Sequence, residues 1–221
     1  MDNGKLGNAN IVLVDDHGMV RSGLRALLQR EPGLAIIGEA ADGRSAVRLI
    51  QELSPDVVVM DLHMPDLNGI EATRQIVAAS PGIKIIALSA SSDESATIEM
   101  LRAGAVGYVL KDAAFEELVT AIRTVLKGEV YLSPPVASIV VADYLKGGAT
   151  TYNSAFSALS AREREVLQLI AEGKATKEVA ALLQVSLKTA ETHRRNVMLK
   201  LNVDSVAELT KYAIRHGLTT L

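Results

Sequence analysis

The chain has 221 residues, 48% of them hydrophobic, no cysteine and a net charge of −3. That length buries a sizeable core and fits two ordinary domains, while the lack of cysteine excludes disulfides and thiolate metal sites. Aromatics make up only 3%, with no tryptophan, which argues against a base-stacking surface for single strands. No apolar run reaches the roughly eighteen residues of a membrane span. The start, MDNGKLGNAN, has no apolar stretch of the secretory kind, so a cytoplasmic protein with no membrane contact is expected. Residues 157–221 carry ten Lys and Arg against seven Asp and Glu, a net of +3, which leaves −6 for residues 1–156. An acidic module and a basic one with different partners are therefore expected.

In chain order, short β-branched runs alternate with longer amphipathic stretches. NIVLVD (10–15), LAIIGEA (34–40), DVVVMD (56–61), KIIALSA (84–90) and VGYVLK (106–111) read as five strands. Helical periodicity fills the gaps and follows the last strand in AFEELVTAIRTVLKG. The strands are continuously apolar, so the sheet is parallel and covered on both faces. Beyond Gly128, YLSPPVASIVVADYL reads as a short helix starting near Pro134–Pro135, and KGGATTYNSAFS as a flexible linker. Only helices follow. SARE (160–163) is a capping box opening a helix that ends at Gly173. TKEVAALLQ is a short helix, SLKTAETHRRNVMLKL a long one with Ser186 as N-cap, and SVAE (205–208) caps the last. The expected organisation is an α/β domain over 9–128, a linker with a short helix over 129–156, and a small all-α domain over 157–221.

In a doubly wound sheet, ligands bind beyond the carboxyl ends of the strands. Here the first strand ends in Asp15–Asp16, the third in Asp61, the fourth in Ser89 and the fifth in Lys111. Clustered carboxylates repel unless a cation joins them, and an oxygen-rich acidic site suits Mg²⁺. A lysine opposite can pair with Asp61 or with an incoming phosphoryl oxygen. This set suits phosphoryl transfer with Asp61 as nucleophile. A single strand-end aspartate is usually a turn or cap residue, and Asp42, Asp66 and Asp112 fit that plainer role. Imidazole matches Mg²⁺ poorly, so the side chains of His17 and His63 are not expected as ligands.

TKEVAALLQVSLKTAETHRRNVMLKL reads as helix, tight turn near Gln184–Ser186, helix. In such a motif the second helix enters the major groove of duplex DNA. Leu187, Ala190, Val197 and Leu201 are expected in the core. Lys188, Thr189, Glu191, Thr192, Arg194 and Arg195 are expected to face outward, towards bases or phosphates. The spacing alone fits equally well a small bundle with a solvated charged face.

VLVDDH, VVVMDLHMPDLNG, ALSA and GYVLK resemble, in order and spacing, the receiver domain of two-component response regulators, whose flavodoxin-like sheet is five-stranded and doubly wound. The resemblance implies phosphorylation of Asp61 by a sensor histidine kinase. It implies Mg²⁺ held by Asp16 and Asp61, by Asp15 mainly through water, and by the backbone carbonyl of His63. Ser89 would bond a phosphoryl oxygen, Lys111 would pair with it, and Tyr108 stands at the aromatic switch position. His63 and Ser91 stand where the family tunes the phosphoryl lifetime. Lys111 precedes Asp112, where many receivers have proline.

Residues 157–218 resemble the LuxR-type helix-turn-helix domain, which makes the whole chain similar to NarL/FixJ-type response regulators. That implies phosphorylation-controlled homodimerisation and transcriptional regulation, with RNA polymerase as a further partner. It implies dimer contacts on the last helix, at Val206, Leu209, Tyr212 and Ala213. Lys188, Arg194, Arg195 and Lys200 are the phosphate candidates, and Thr189 and Thr192 the base-edge candidates. Two departures stand out: Ala190–Glu191 replaces a common Val-Lys pair, and Asp204 a common arginine. Glu191 cannot attract phosphate but can accept from a cytosine amine. Two rival readings are a DNA-binding protein indifferent to phosphate and a phosphatase of the haloacid dehalogenase type. The latter wants an aspartate where His63 stands, so no enzyme is expected.

Overall fold

The computed structural model describes residues 8–90, 92–113, 115–146 and 158–219. The C-terminal part of the expected linker, from residue 147 on, and Ser91 lie outside the described residues. The first part interleaves β1 (Ala9–Val14), α1 (Gly18–Leu28), β2 (Leu34–Ala40), α2 (Gly43–Leu53), β3 (Val57–Asp61), α3 (Gly69–Ala79), β4 (Lys84–Ser89), α4 (Glu94–Arg102), β5 (Gly107–Leu110) and α5 (Phe115–Leu126). The strand order is β2-β1-β3-β4-β5, all parallel. A sixth strand, β6 (Tyr131–Leu132), extends the β5 edge. Two residues are too short for a period-two signal, which is why the sequence reads as five strands. The helix expected from Pro134–Pro135 is α6 (Pro134–Leu145).

β3 shows why its apolar run is unbroken. Val58 and Met60 enter the core on one face of the sheet, Val57 and Val59 the core on the other. The strand is buried throughout, down to Asp61. The turn after it is tight: Gly69 N–H bonds the Leu62 carbonyl at 2.9 Å. A Cβ on Gly69 would lie 2.0 Å from the Asp61 carbonyl oxygen, so no other residue fits where α3 starts. Asn68 caps α3 and Asp42 caps α2, each through its side chain.

The helical part holds α7 (Ala161–Ala171), α8 (Thr176–Leu182), α9 (Leu187–Leu201) and α10 (Val206–Arg215) around its own core. The Ser160–Glu163 capping box forms as expected, and α7 stops at Gly173, whose φ is +84°. The turn into α9 passes through Gln184 at φ +54° and is capped by Ser186. Ala190, Val197 and Leu201 face the core as expected, whereas Leu187 is 47% exposed. It sits in the first turn of α9, above the packed layer.

Candidate functional site

β1 and β3 are neighbours, with Val14 opposite Met60. Their carboxyl ends therefore deliver Asp15 and Asp61 to one crevice, both 2% exposed. β5 delivers Lys111, whose backbone N–H bonds the Ser89 carbonyl at 2.7 Å and ties the ends of β4 and β5. The Lys111 ammonium lies 2.7 Å from Asp15 Oδ2 and 2.9 Å from Asp61 Oδ2. The site residues expected at three strand ends thus converge. The Lys111–Asp112 bond is trans, as are the other described peptide bonds.

Burial pushes the Asp61 carboxyl up to about 6; the Lys111 bond opposes this, the Asp15 charge adds to it, and the Lys111 charge and the His63 backbone N–H again oppose it. Burial would pull Lys111 down, but its bonds to Asp15 and Asp61 outweigh that and hold it above the ordinary range. The His63 ring is half-buried and held below its ordinary value, first by burial and then by the Lys111 charge.

One oxygen from each of Asp15, Asp16 and Asp61 and a ring nitrogen of His17 lie within 4.8 Å of one another. His17 Nδ1 is 2.7 Å from Asp16 and 3.2 Å from Asp15. Three carboxylates against one lysine leave the cluster short of positive charge. Hard oxygen donors of this kind fit Mg²⁺. The His17 ring is the group sequence reasoning had set aside; it closes the cluster on the solvent side and is 66% exposed.

Ser89 and Tyr108 are both completely buried. The Tyr108 phenol is pushed up by burial, against hydrogen bonds with Ser89 and Thr97, and Thr97 Oγ1 donates to it at 3.4 Å. Tyr108 and Ser89 therefore meet inside the fold, next to the crevice.

The helical part packs beside this crevice, one of the two arrangements open to an unphosphorylated receiver, the other being a free monomer. The Gln168 carbonyl on α7 accepts from Asn68 N–H at 2.9 Å and from the Asn68 amide at 3.0 Å, while its amide donates to the Met64 carbonyl at 3.0 Å. Arg164 pairs with Glu71 at 2.7 Å and Arg44 with Glu165 at 2.9 Å. Glu172 accepts from Asp66 N–H at 3.2 Å, and Lys174 lies 3.8 Å from Asp66. A cleft of about 370 Å³ remains, walled by Asp16 and His63 on one side and by Glu172 and Lys174 on the other. Gly217, just past α10, abuts Ala96 on α4.

None of this covers α9. Lys188, Thr189, Glu191, Thr192 and Arg195 are exposed in the whole chain, and Arg194 is half-buried. Some expected DNA contacts have other partners, however. Lys200 bonds Glu163 at 2.7 Å and the Ala158 carbonyl at 3.1 Å, clamping α9 to the start of α7. Arg194 reaches Thr176 at 3.3 Å. The expected dimer residues divide as well. Leu209 and Ala213 are fully buried in the domain's own core, because they form the inward stripe of α10. Val206 is 39% exposed, and the half-buried Tyr212 stacks on His216 with ring centroids 4.3 Å apart.

An acidic crevice with a buried aspartate and a facing lysine, joined to a helix-turn-helix domain, defines a DNA-binding regulator built around a phosphoacceptor domain. The model of the response regulator receiver domain matches residues 11–123, and that of the bacterial regulatory proteins of the luxR family matches residues 157–213. The oxygen regulatory protein NreC of Staphylococcus carnosus is 40% identical, over 94% of this chain and 98% of its own. The transcriptional regulatory protein LiaR of Bacillus subtilis is 42% identical over the same shares. RcsB of Salmonella enterica serovar Typhimurium, solved on promoter DNA with the phosphomimetic BeF3−, is similar at TM-score 0.61 and 29% identity, covering 93% of this chain and 98% of that one. The chain belongs to the NarL/FixJ-type two-component response regulators, with a receiver domain and a LuxR-type DNA-binding domain.

Proposed function

We propose that Asp61 accepts a phosphoryl group from the phosphohistidine of a sensor kinase, and that this controls dimerisation and duplex binding through α9 and α10. The observation that carries this is the Lys111 ammonium bridging Asp15 and Asp61 at 2.7 and 2.9 Å. An Asp61 oxygen attacks phosphorus in line. The new O–P bond forms as the P–N bond breaks, and the imidazole leaves with the electron pair. Lys111 meets the phosphoryl oxygens and stays charged. Asp15, Asp16, Asp61 and the His63 carbonyl are the groups to hold Mg²⁺, which when bound supplies further charge neutralisation at those oxygens. An apolar groove of about 240 Å³ between α1 and α5, lined by Val20, Leu24, Phe115 and Leu118 and ending at Lys111, supports docking of a kinase helix beside the site.

The phosphoryl group offers Ser89 a stronger acceptor than the Tyr108 phenol. When Ser89 turns to it, the connection from β4 into α4 shifts, and α4 carries the Ala96 contact to Gly217. Because α9 is already exposed, release acts on the α10 end and its dimer contacts rather than by uncovering α9. The protein then works as a phosphorylated homodimer on duplex DNA, alongside RNA polymerase. It is a switch and not an enzyme, and we assign its action to the cytoplasm; no described helix is long and apolar enough to cross a membrane.

The test is incubation with phosphoramidate and Mg²⁺ followed by intact-protein mass spectrometry. One phosphoryl group on the wild type and none on Asp61→Asn is the expected outcome. DNA binding that is identical for both proteins, with and without donor, would replace the switch by a phosphate-indifferent regulator.

A further inference from the structure

We propose that Glu191 selects cytosine in the operator, with Arg195 reading a guanine one helical turn further along α9. This rests on the reading that α9 enters the major groove. Lys188, Glu191, Thr192, Arg195 and Leu199 fall at intervals of three and four residues and are all exposed, so they form one stripe of α9. The bonds around that stripe narrow the choice of base reader. The Thr192 hydroxyl donates to the Lys188 carbonyl at 2.8 Å, and the Thr189 hydroxyl is bonded to Ser186 Oγ, also at 2.8 Å. Both threonines are engaged with the helix itself, and Lys200 is held by Glu163. Glu191 and Arg195 line one open cleft on the outer side of α9, with Met198 and Leu199.

A carboxylate is acceptor-only and is repelled by phosphate, so on this stripe it is tolerated only over base edges. The donors exposed in the major groove are the cytosine N4 and adenine N6 amines. Beside the adenine amine stands N7, an acceptor that faces the second carboxylate oxygen unfavourably; beside the cytosine amine is a C–H edge. Cytosine therefore wins. Arg195 is about 6 Å further along the helix axis, close to two base-pair steps of about 3.4 Å. Its fork matches guanine O6 and N7. The same carboxylate weakens binding to arbitrary DNA by opposing the phosphates, so it raises selectivity at the expense of affinity.

The experiment is selection from a randomised duplex pool by the phosphorylated full-length protein, comparing wild type, Glu191→Ala and Glu191→Lys. Thermal melts of the three proteins serve as the check that each variant is folded. The wild type should enrich cytosine about tenfold at one position of each half-site, with guanine within two steps. Glu191→Ala should level the cytosine position and keep the rest of the motif. Glu191→Lys should replace the cytosine and tighten binding to unselected DNA. An identical motif for wild type and Glu191→Ala, or adenine at the selected position, overturns the assignment. If the wild type enriches no sequence at all, the groove-entry reading itself fails and takes this assignment with it.

Discussion

Gln168 on α7 and Asn68, at the start of α3, share two hydrogen bonds across the domain boundary, and both side chains are 1% exposed. With its third bond to the Met64 carbonyl, Gln168 brackets the segment that leaves β3 just beyond Asp61. The DNA-binding domain therefore contacts the backbone just beyond Asp61 directly.

Gln168→Leu is expected to open this arrangement. It leaves Asn68 N–H and the Met64 carbonyl buried without their partner, at a cost of roughly 1–3 kcal/mol. The cost falls on the docked form alone, since water satisfies both groups once the domains part. Small-angle scattering should show a larger radius of gyration for the unphosphorylated variant. Superimposable profiles for variant and wild type would refute the role given to Gln168.

Gly217 provides a second, independent handle. Its φ is +66°, and a Cβ there would lie 2.7 Å from the Ala96 Cβ, so Gly217→Ala adds backbone strain to a clash against α4. DNA affinity of the unphosphorylated Gly217→Ala protein should rise several-fold. Ala96→Gly in the same chain removes the clashing atom and should return most of that gain. Absence of any rescue would mean that the backbone strain, not the contact with α4, is responsible.

The pH dependence of stability follows from Asp61. Its carboxyl is raised from 3.8 to about 6 in the folded protein. Between those values the folded chain binds the proton more tightly than the unfolded chain, so rising pH removes stability across that window. The penalty on the charged form is on the order of 3 kcal/mol above pH 6 and is absent below 3.8. Asp61→Asn should therefore raise the urea midpoint at pH 7.5 in the presence of a chelator, and leave it nearly unchanged at pH 3.5. An equal gain at both pH values would mean that packing, not charge burial, separates the two proteins.

The sheet and its crevice were legible in the sequence because each depends on a local signal. The unbroken VVVM run reports burial on both faces, and the residue that ends each strand reports the crevice. Chain-order logic then brings Asp15, Asp61 and Lys111 together without knowledge of a single contact. β6 was not legible, since two residues carry no period. Neither was the docking of Gln168 on Asn68, because an amide inside an amphipathic helix looks the same whether it meets solvent or a buried partner. The burial of Leu209 and Ala213 inside their own domain was hidden for a related reason: an apolar stripe announces burial but not which partner buries it.

Lys111→Met separates two roles of the lysine. In the wild type its ammonium competes with any cation for Asp15 and Asp61, at 2.7 and 2.9 Å. Without it, three carboxylates face one another unneutralised, so Mg²⁺ should bind more tightly and give a larger rise in melting temperature than it gives the wild type. Phosphorylation by a small donor should nonetheless fall roughly 10²-fold, because a preorganised charge aimed at the phosphoryl oxygens is missing. Tighter metal binding with slower phosphorylation assigns Lys111 to the transferring group. Weaker metal binding together with slower phosphorylation would assign it instead to holding the carboxylates in place.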